Sequence, residues 1–289
     1  MELTIFTIFH TTFAFMGCFL NLLLMYLAIF KTTKAMRIYS TLIINFCITE
    51  FFACLLDGFV EQRIIPGGKS LFYISYGYCT LFGPSTCYVA YSLMLHCLAH
   101  SLWSLLVSFS YRFLILKKIN PSRTTIVLAL LVIYIPSTIQ WISFIWAKDD
   151  EQEVRRELHT KFPEYELDGQ TVTGTIDIVS FSGKLSLVIL LALARYQQAL
   201  TYQAMIPMIF LFSVVSYVIG QSGLYNHPLL EYFTFSGFVV IPVLSPLCSL
   251  YYIGPYRKAV SVMLHGPRVS TTTHTKVKST EINVTDLIV

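Results

Sequence analysis

The chain has few charged residues, and long stretches have none. Asp, Glu, Lys and Arg make up 12% of its 289 residues, about half of the ~25% usual for soluble domains. Residues 3–30, 70–111, 124–147, 196–230 and 232–256 contain no charged side chain. A soluble helix needs a polar face toward water, whereas a helix crossing about 30 Å of hydrocarbon needs roughly 20 apolar residues. The composition therefore excludes a soluble fold and predicts a membrane protein.

Residue patterns that bind metals or carry out catalysis are also missing. No CxxC motif or His/Cys cluster in the sequence suggests a zinc site, so we expect neither a metal nor another cofactor. His96 and His100 share a helix face, but no second intramembrane His pair accompanies them to hold a haem. We also find no Ser/His, paired-Asp or multi-His arrangement, so we predict no catalytic residues and no enzyme. No nucleic-acid partner is predicted.

Cysteines are placed mainly inside the apolar runs, where a free thiol behaves as a small hydrophobe. Only Cys79 falls near a probable outer helix end, and residues 147–175 contain no cysteine. We therefore expect no disulfide to that outer loop, although many seven-helix receptors have one. The seven cysteines are Cys18, Cys47, Cys54, Cys79, Cys87, Cys97 and Cys248.

The apolar runs predict an all-α, polytopic bundle of seven membrane-spanning helices over residues 1–262. A disordered cytoplasmic tail rich in Ser and Thr is predicted for residues 263–289. The first run is expected to span rather than to be cleaved, because it exceeds the roughly 7–15 apolar residues of a signal peptide. The predicted spans are Ile8–Phe30, Tyr39–Val60, Phe82–Phe109, Thr124–Trp146, Ile176–Ala194, Ala204–Leu224 and Leu229–Tyr252.

Basic residues concentrate in the connections on one side of the predicted bundle. Basic loops stay in the cytoplasm, which places the N-terminus outside and the C-terminus inside and requires an odd number of spans. The acid-rich loop 148–168 then faces outward, where it could filter ligands or cover the bundle, or simply be solvated. The inward basic residues include Lys31, Lys34, Arg37, Arg112, Lys117, Lys118, Arg123, Arg257 and Lys258.

The fifth span is the weakest of the seven. Ile176–Ala194 contains Asp177 and Lys184, and its uncharged part would cover only ~15 Å at about 1.5 Å per residue. Either the charged ends reach the interfaces and the segment crosses, or it does not span. The sequon at Asn283 separates these cases, because seven spans keep it cytoplasmic and bare. We expect no glycan there.

Buried polar residues give a hypothesis for the middle of the bundle. An acid in a membrane span is costly and needs a partner. Counted from the cytoplasmic ends of their helices, three polar residues lie at similar depth: Asn21, Glu50 and His100. We therefore expect a polar cluster that ties three helices together. His96, one turn from His100 on the same helix, belongs to the expected cluster. Alternatively, backbone groups or water satisfy each residue separately.

Four stretches resemble one known family. They are residues 93–112 (LMLHCLAHSLWSLLVSFSYR), 199–207 (ALTYQAMIP), 225–232 (YNHPLLEY) and 242–257 (PVLSPLCSLYYIGPYR). Each is similar to the corresponding stretch of nematode seven-helix chemoreceptors of serpentine receptor class delta, the Srd family. The motifs of the third and seventh helices are the most specific, and the likeness extends over most of residues 1–260.

This resemblance implies a G-protein-coupled chemoreceptor that binds an external small molecule and signals to a heterotrimeric G protein from the plasma membrane of sensory cilia. Tyr111 and Arg112 take the position of the acidic-Arg-aromatic triplet, with Ser110 replacing its acid. By resemblance and position, the residues expected to face the G protein are Tyr111, Arg112, Lys117, Lys118, Arg123 and Arg257.

The chain departs from the family pattern between its fourth and sixth helices. Family members have a full fifth span and a longer basic loop after it, whereas both are compressed into residues 176–203 here. A non-signalling variant with a defective fifth helix is therefore one alternative. A transporter or channel is another, although the chain has no internal repeat and Glu50 is its only acid near the midplane.

Overall fold

A computed structural model describes residues 2–177, 206–221 and 228–265. Four of its helices are each long and apolar enough to cross a membrane, and a bent pair, Val239–Tyr252 with Gly254–His265, qualifies as a fifth. The predicted fifth span lies outside the described residues except for Ile176 and Asp177, neither of which is helical. The helices are α1 (Glu2–Phe30), α2 (Arg37–Val60), α3 (Pro84–Leu116), α4 (Arg123–Trp146), α5 (Glu151–Lys161), α6 (Ile206–Gln221), α7 (Pro228–Tyr252) and α8 (Gly254–His265).

The long helices pack side by side and expose apolar surface to the surroundings. Helix α1 packs on α2 and α7, α2 packs on α3, and α3 packs on α4. Phe15 is 77% exposed and Val132 is 61% exposed, which would be unfavourable in water but is expected of a helix against lipid. Apolar residues thus both fill the interior and face outward.

An antiparallel sheet covers one end of the bundle, so the all-α prediction was wrong here. Strands β1 (Gln62–Gly67) and β2 (Ser70–Ser75) form a hairpin, and β3 (Thr171–Thr175) pairs with β2. The hairpin forms because Gly68, at φ +71°, allows a tight turn after Pro66. Helix α5 packs on the sheet through Val154 and Leu158, both fully buried. We call this sheet with α5 the outer cap, a name that follows the orientation predicted from the loop charges.

Inside the outer cap, Tyr73 of β2 joins the cap to the bundle. Its ring contacts Tyr91 and Phe144, with ring centroids 5.0 and 6.1 Å away. Burial raises the pKa of Tyr73, and the neighbouring Tyr91 and Tyr88 add to the increase. The phenol therefore stays neutral in this apolar layer.

A disulfide links Cys79 to Cys87 at the start of α3. The sequence had suggested that Cys87, within an apolar run, was a free thiol. The structure corrects this, because the short 3-10 helix Tyr78–Phe82 turns back at Gly83 and brings Cys79 to the first turn of α3. Residues 147–175 contain no cysteine, so this disulfide does not involve that loop.

Two helix ends differ from prediction in ways that affect the site. Helix α3 continues to Leu116, beyond the predicted end at Phe109, so Tyr111 and Arg112 lie within the helix. At the other end of the chain, α8 follows α7 after a bend of 92°. The predicted domain boundary at residue 262 falls inside α8.

Candidate functional site

At the capped end, ionisable residues of α1 and α2 meet in the interior. His10 Nδ1 lies 2.9 Å from Asp57 Oδ1, and both side chains are buried. Beside this pair, the hydroxyl of Thr11, the next residue of α1, donates at 2.9 Å to Oε1 of Glu61, which caps the end of α2. These bonds join the start of α1 to the end of α2. The sequence analysis did not identify this pair, because the two residues lie 47 positions apart on different helices.

Arg63, the second residue of β1, connects the outer cap to α7. Its guanidinium donates to Tyr232 OH at 3.0 Å and lies 4.4 Å from the centre of that ring. The ring of Tyr165 approaches the same guanidinium at 5.0 Å. Two aromatic faces around a cation give an attractive cation–π arrangement. The cap is therefore held on the bundle by a polar anchor as well as by apolar packing.

In the middle of the bundle, Asn21 and Glu50 are both buried but do not bond to each other. Asn21 Nδ2 donates to the carbonyls of Gly17 and Pro242, each at 2.9 Å, and so ties α1 to α7. The Pro242 carbonyl is free to accept because Pro246, four residues further along the same helix, has no backbone N–H to donate to it. Neither carboxyl oxygen of Glu50 has a hydrogen-bond partner within the described part of the chain.

His100 likewise has partners other than those predicted. Its Nε2 lies 3.2 Å from Asn45 Nδ2, which in turn donates to Ser104 Oγ at 2.9 Å. The imidazole stacks on Tyr134 of α4, with ring centroids 3.6 Å apart, and the His96 ring lies 5.7 Å from Trp141. The described residues therefore do not form the expected three-way cluster. His100 contacts Asn45 instead, and Asn21 bonds to the backbone of α7.

A cavity of about 10 Å³ lies between α2, α3 and α7. Asp57 lines it together with Met94 and Pro242. This volume suits about one water molecule. Within the described ranges, no group of three His, Cys, Asp or Glu side chains is arranged to hold a metal ion.

At the opposite end of the bundle, Arg112 is restrained by an aromatic residue of α2. Its guanidinium donates a hydrogen bond to Tyr39 OH and lies 5.5 Å from the centre of the Tyr39 ring. The ring of Tyr111 stacks on the Tyr39 ring, with the two centroids 5.8 Å apart. Ser110, which replaces the expected acid, donates instead to the Leu106 carbonyl of its own helix. Tyr39 was missed by sequence reasoning.

The other predicted G-protein-facing residues lie around Arg112 at this end. Lys117 caps the end of α3, Lys118 follows it, and Arg123 begins α4. Arg257 lies in the first turn of α8. All four side chains are exposed, and the described ranges place no acidic residue at this end. The structure thus brings the basic residues to the end opposite the outer cap.

The sequence contains a recognisable signal for the hairpin of the outer cap. Pro66-Gly-Gly-Lys69 separates two apolar segments, Ile64–Ile65 and Leu71–Ile74, which is a typical hairpin pattern. The partnership of Tyr39 with Arg112 had no comparable signal, because it joins residues of different helices.

The buried polar contacts, lipid-facing helices and capped end define a polytopic helical membrane protein. Its family follows from sequence comparison. Residues 6–197 and 195–262 match the model of the serpentine type 7TM GPCR chemoreceptor Srd. The chain belongs to this family, as its sequence motifs indicated. The two matched segments meet at residues 195–197. This point lies within residues 176–203, the stretch that is shorter than the family pattern.

Curated relatives from Caenorhabditis elegans show the same relationship. Serpentine receptor class delta-18 is 38% identical, with 91% of this chain and 89% of the relative aligned. Serpentine receptor class delta-19 is 37% identical over 91% of this chain and 88% of the relative. Both alignments run over 300 positions, more than the 289 residues of the chain, so this chain lacks residues that the relatives have.

Proposed function

We propose that the protein is a chemoreceptor that binds an external small molecule and signals to a heterotrimeric G protein. In this proposal seven helices span the plasma membrane of a sensory cilium, with the N-terminus and outer cap outside and the C-terminus inside. Family membership and the exposed basic residues around Arg112 support it. A receptor works through two bundle states that its ligand and its partner stabilise unequally.

The contact between Arg112 and Tyr39 carries the signalling part of the proposal. It joins α3 to α2 at the end where the family binds its G protein. Since Ser110 cannot provide an ion pair, Tyr39 takes over the restraint of Arg112 in the inactive state. Opening this contact should free Arg112 and shift the population toward the active state.

The test is basal nucleotide exchange by a purified heterotrimer on nanodiscs containing the full chain. Tyr39→Phe removes the hydroxyl acceptor but keeps the ring, and should raise basal exchange about threefold, which corresponds to less than 1 kcal/mol of population shift. Arg112→Gln should reduce exchange to background. A Tyr26→Phe variant, on an exposed tyrosine of α1, serves as the control. Equal exchange by all four proteins would contradict G-protein coupling.

A non-signalling receptor variant is the second candidate function. The split family match at residues 195–197 and the residues missing relative to the aligned proteins favour it. Sequencing the transcript across codons 170–205 decides between the two, because an omitted exon would restore a full span. Substrate flux into vesicles containing the chain would instead indicate a transporter.

A further inference from the structure

A short helical turn, Tyr78–Phe82, lies between the outer cap and α3. It belongs to residues 70–111, which contain no charged side chain, although it precedes the first residue of α3. Loops that face water are normally rich in polar residues. Three large side chains of this turn are instead mostly exposed, Tyr78 by 72%, Leu81 by 80% and Phe82 by 68%. An exposed apolar patch of this kind marks a surface that contacts something other than water.

The turn lies at the level where α2 ends. The 24 residues of α2 cover about 36 Å at about 1.5 Å per residue, so the two helix ends lie close to the two boundaries of a hydrocarbon core about 30 Å thick. The amide of Gly77, immediately before the turn, donates to the carbonyl of Val60, the last residue of α2, at 3.0 Å. The turn therefore begins at one boundary of the hydrocarbon.

The exposed patch of the turn continues a lipid-facing row of α2. Phe52 and Leu55 are 47% and 50% exposed, as expected of side chains against lipid. One turn further along α2, the centre of the Phe59 ring lies 6.1 Å from that of the Phe82 ring. Since Phe52, Leu55 and Phe59 are spaced by three and four residues, they share one face of the helix. A row of apolar side chains therefore runs from this face of α2 onto the turn.

The other side of the turn is fixed to the protein. Cys79 is fully buried and is bonded to Cys87 in the first turn of α3. The amide and the hydroxyl of Thr80 both donate to the carbonyl of Gly77, and the amide of Gly83 donates to the carbonyl of Thr80. Backbone groups that are satisfied internally can enter lipid at a low cost. The turn therefore presents its apolar patch from a fixed base.

We propose that the turn Tyr78–Phe82 inserts its exposed side chains into the lipid bilayer, where Leu81 and Phe82 contact acyl chains and the Tyr78 hydroxyl stays at the level of the headgroups. Lipid fits better than a second copy of the chain, because the patch is continuous with the lipid-facing row of α2 and lies at the same boundary of the hydrocarbon. Under the proposed topology this is the outer leaflet. Insertion requires neither a chemical ligand nor a G protein, so it goes beyond the proposed function.

The experiment measures the quenching of tryptophan fluorescence by phosphatidylcholine that is brominated on its acyl chains, in nanodiscs that each hold one full chain. Leu81→Trp places a fluorophore on the patch, and the signal of the unmodified protein, which has three tryptophans, is subtracted. The matched control is Lys69→Trp, at an exposed position of the hairpin turn. The tryptophan introduced at Leu81 should be quenched about fivefold more strongly than the one at Lys69. Added salt should not change this ratio, because the patch has no charge to screen.

Equal quenching of the two introduced tryptophans would overturn the proposal. Since Leu81 is exposed, the variant should fold, and its thermal midpoint checks this; Tyr78→Trp is a milder change on the same patch and should be quenched as strongly. Strong quenching in discs that hold one chain, with protection in discs that hold two, would assign the patch to contacts between copies and would also overturn the proposal. Because quenching is measured without ligand or G protein, a failure of signalling leaves the lipid result unaffected.

Discussion

Glu50 and Asp57 of α2 are both buried acids, but their surroundings differ. Asp57 is paired with His10 at 2.9 Å, whereas neither oxygen of Glu50 has a partner among the described residues. Breaking a buried pair leaves an uncompensated group and costs about 3–5 kcal/mol. A buried carboxyl without a partner has no pairing to lose and already bears the cost of desolvation. The two acids are similarly buried, but because their partners differ, we expect replacement by an amide to change stability in opposite directions.

We expect Asp57→Asn and Glu50→Gln to change stability in opposite directions. Asp57→Asn weakens a charged hydrogen bond and should lower the free energy of unfolding by about 1–3 kcal/mol. Glu50→Gln should leave it unchanged or raise it. Thermal unfolding of the purified protein in one detergent measures both.

The variant His10→Ala provides the control for the pair. If Asp57 acts through His10, the double variant His10→Ala/Asp57→Asn should lose less stability than the sum of the single losses. Additive losses, or a Glu50→Gln loss as large as that of Asp57→Asn, would contradict the assignment of partners.

At the scale of elements, α1 and α2 approach closely because Gly17 has no side chain. A Cβ built there would lie near the thiol of Cys54 and 3.2 Å from Val243 Cγ2 of α7. Small residues allow such approach between membrane helices, whose association depends on packing rather than on the hydrophobic effect. Gly17 thus sets the spacing of three helices.

Gly17→Ala should therefore destabilise the bundle, by about 1–3 kcal/mol as for other overpacked sites. Gly254→Ala is the matched control, since a Cβ there meets nothing within 4 Å. Detergent-solubilised variants can be compared by thermal unfolding. Because part of the clash involves the Cys54 thiol, Cys54→Ala should partly rescue Gly17→Ala; absence of rescue would mean that the contact with α7 dominates.

At the scale of the whole molecule, the two ends of the bundle differ in charge and in structure. One end has the outer cap, with its disulfide and acid-rich loop, and the other has exposed basic residues. Disulfides form in oxidising compartments, and basic loops remain in the cytoplasm. Both observations support the same proposed orientation.

Labelling of single introduced cysteines measures this orientation. Lys69→Cys in the hairpin turn should react with a membrane-impermeant maleimide in intact cells. Lys118→Cys, after α3, should react only once the cells are permeabilised. With an odd number of spans, Asn283 should also carry no glycan, so a tail mass that a glycosidase reduces would contradict the seven-span proposal.

The relation between sequence and structure differs from one site to another. The ends of α2, α4 and α7 were predicted to within a few residues, because apolar length and flanking bases specify them locally. The predicted end of α3 at Phe109 was seven residues short of Leu116, since the helix continues through Arg112 into a further short apolar stretch, residues 113–116. The predicted cluster of Asn21, Glu50 and His100 does not form among the described residues, because similar depth in the membrane does not determine which helix faces meet.

The sequence by itself determined that this protein is embedded in lipid, how its bases are distributed and to which family it belongs. Each of these properties depends on composition or on residues close together in the chain. Only the tertiary structure decided that His10 pairs with Asp57, that Tyr39 restrains Arg112 and that Cys79 bonds to Cys87. The first two contacts join residues 47 and 73 positions apart, and such contacts depend on helix rotation and packing, which no local pattern encodes.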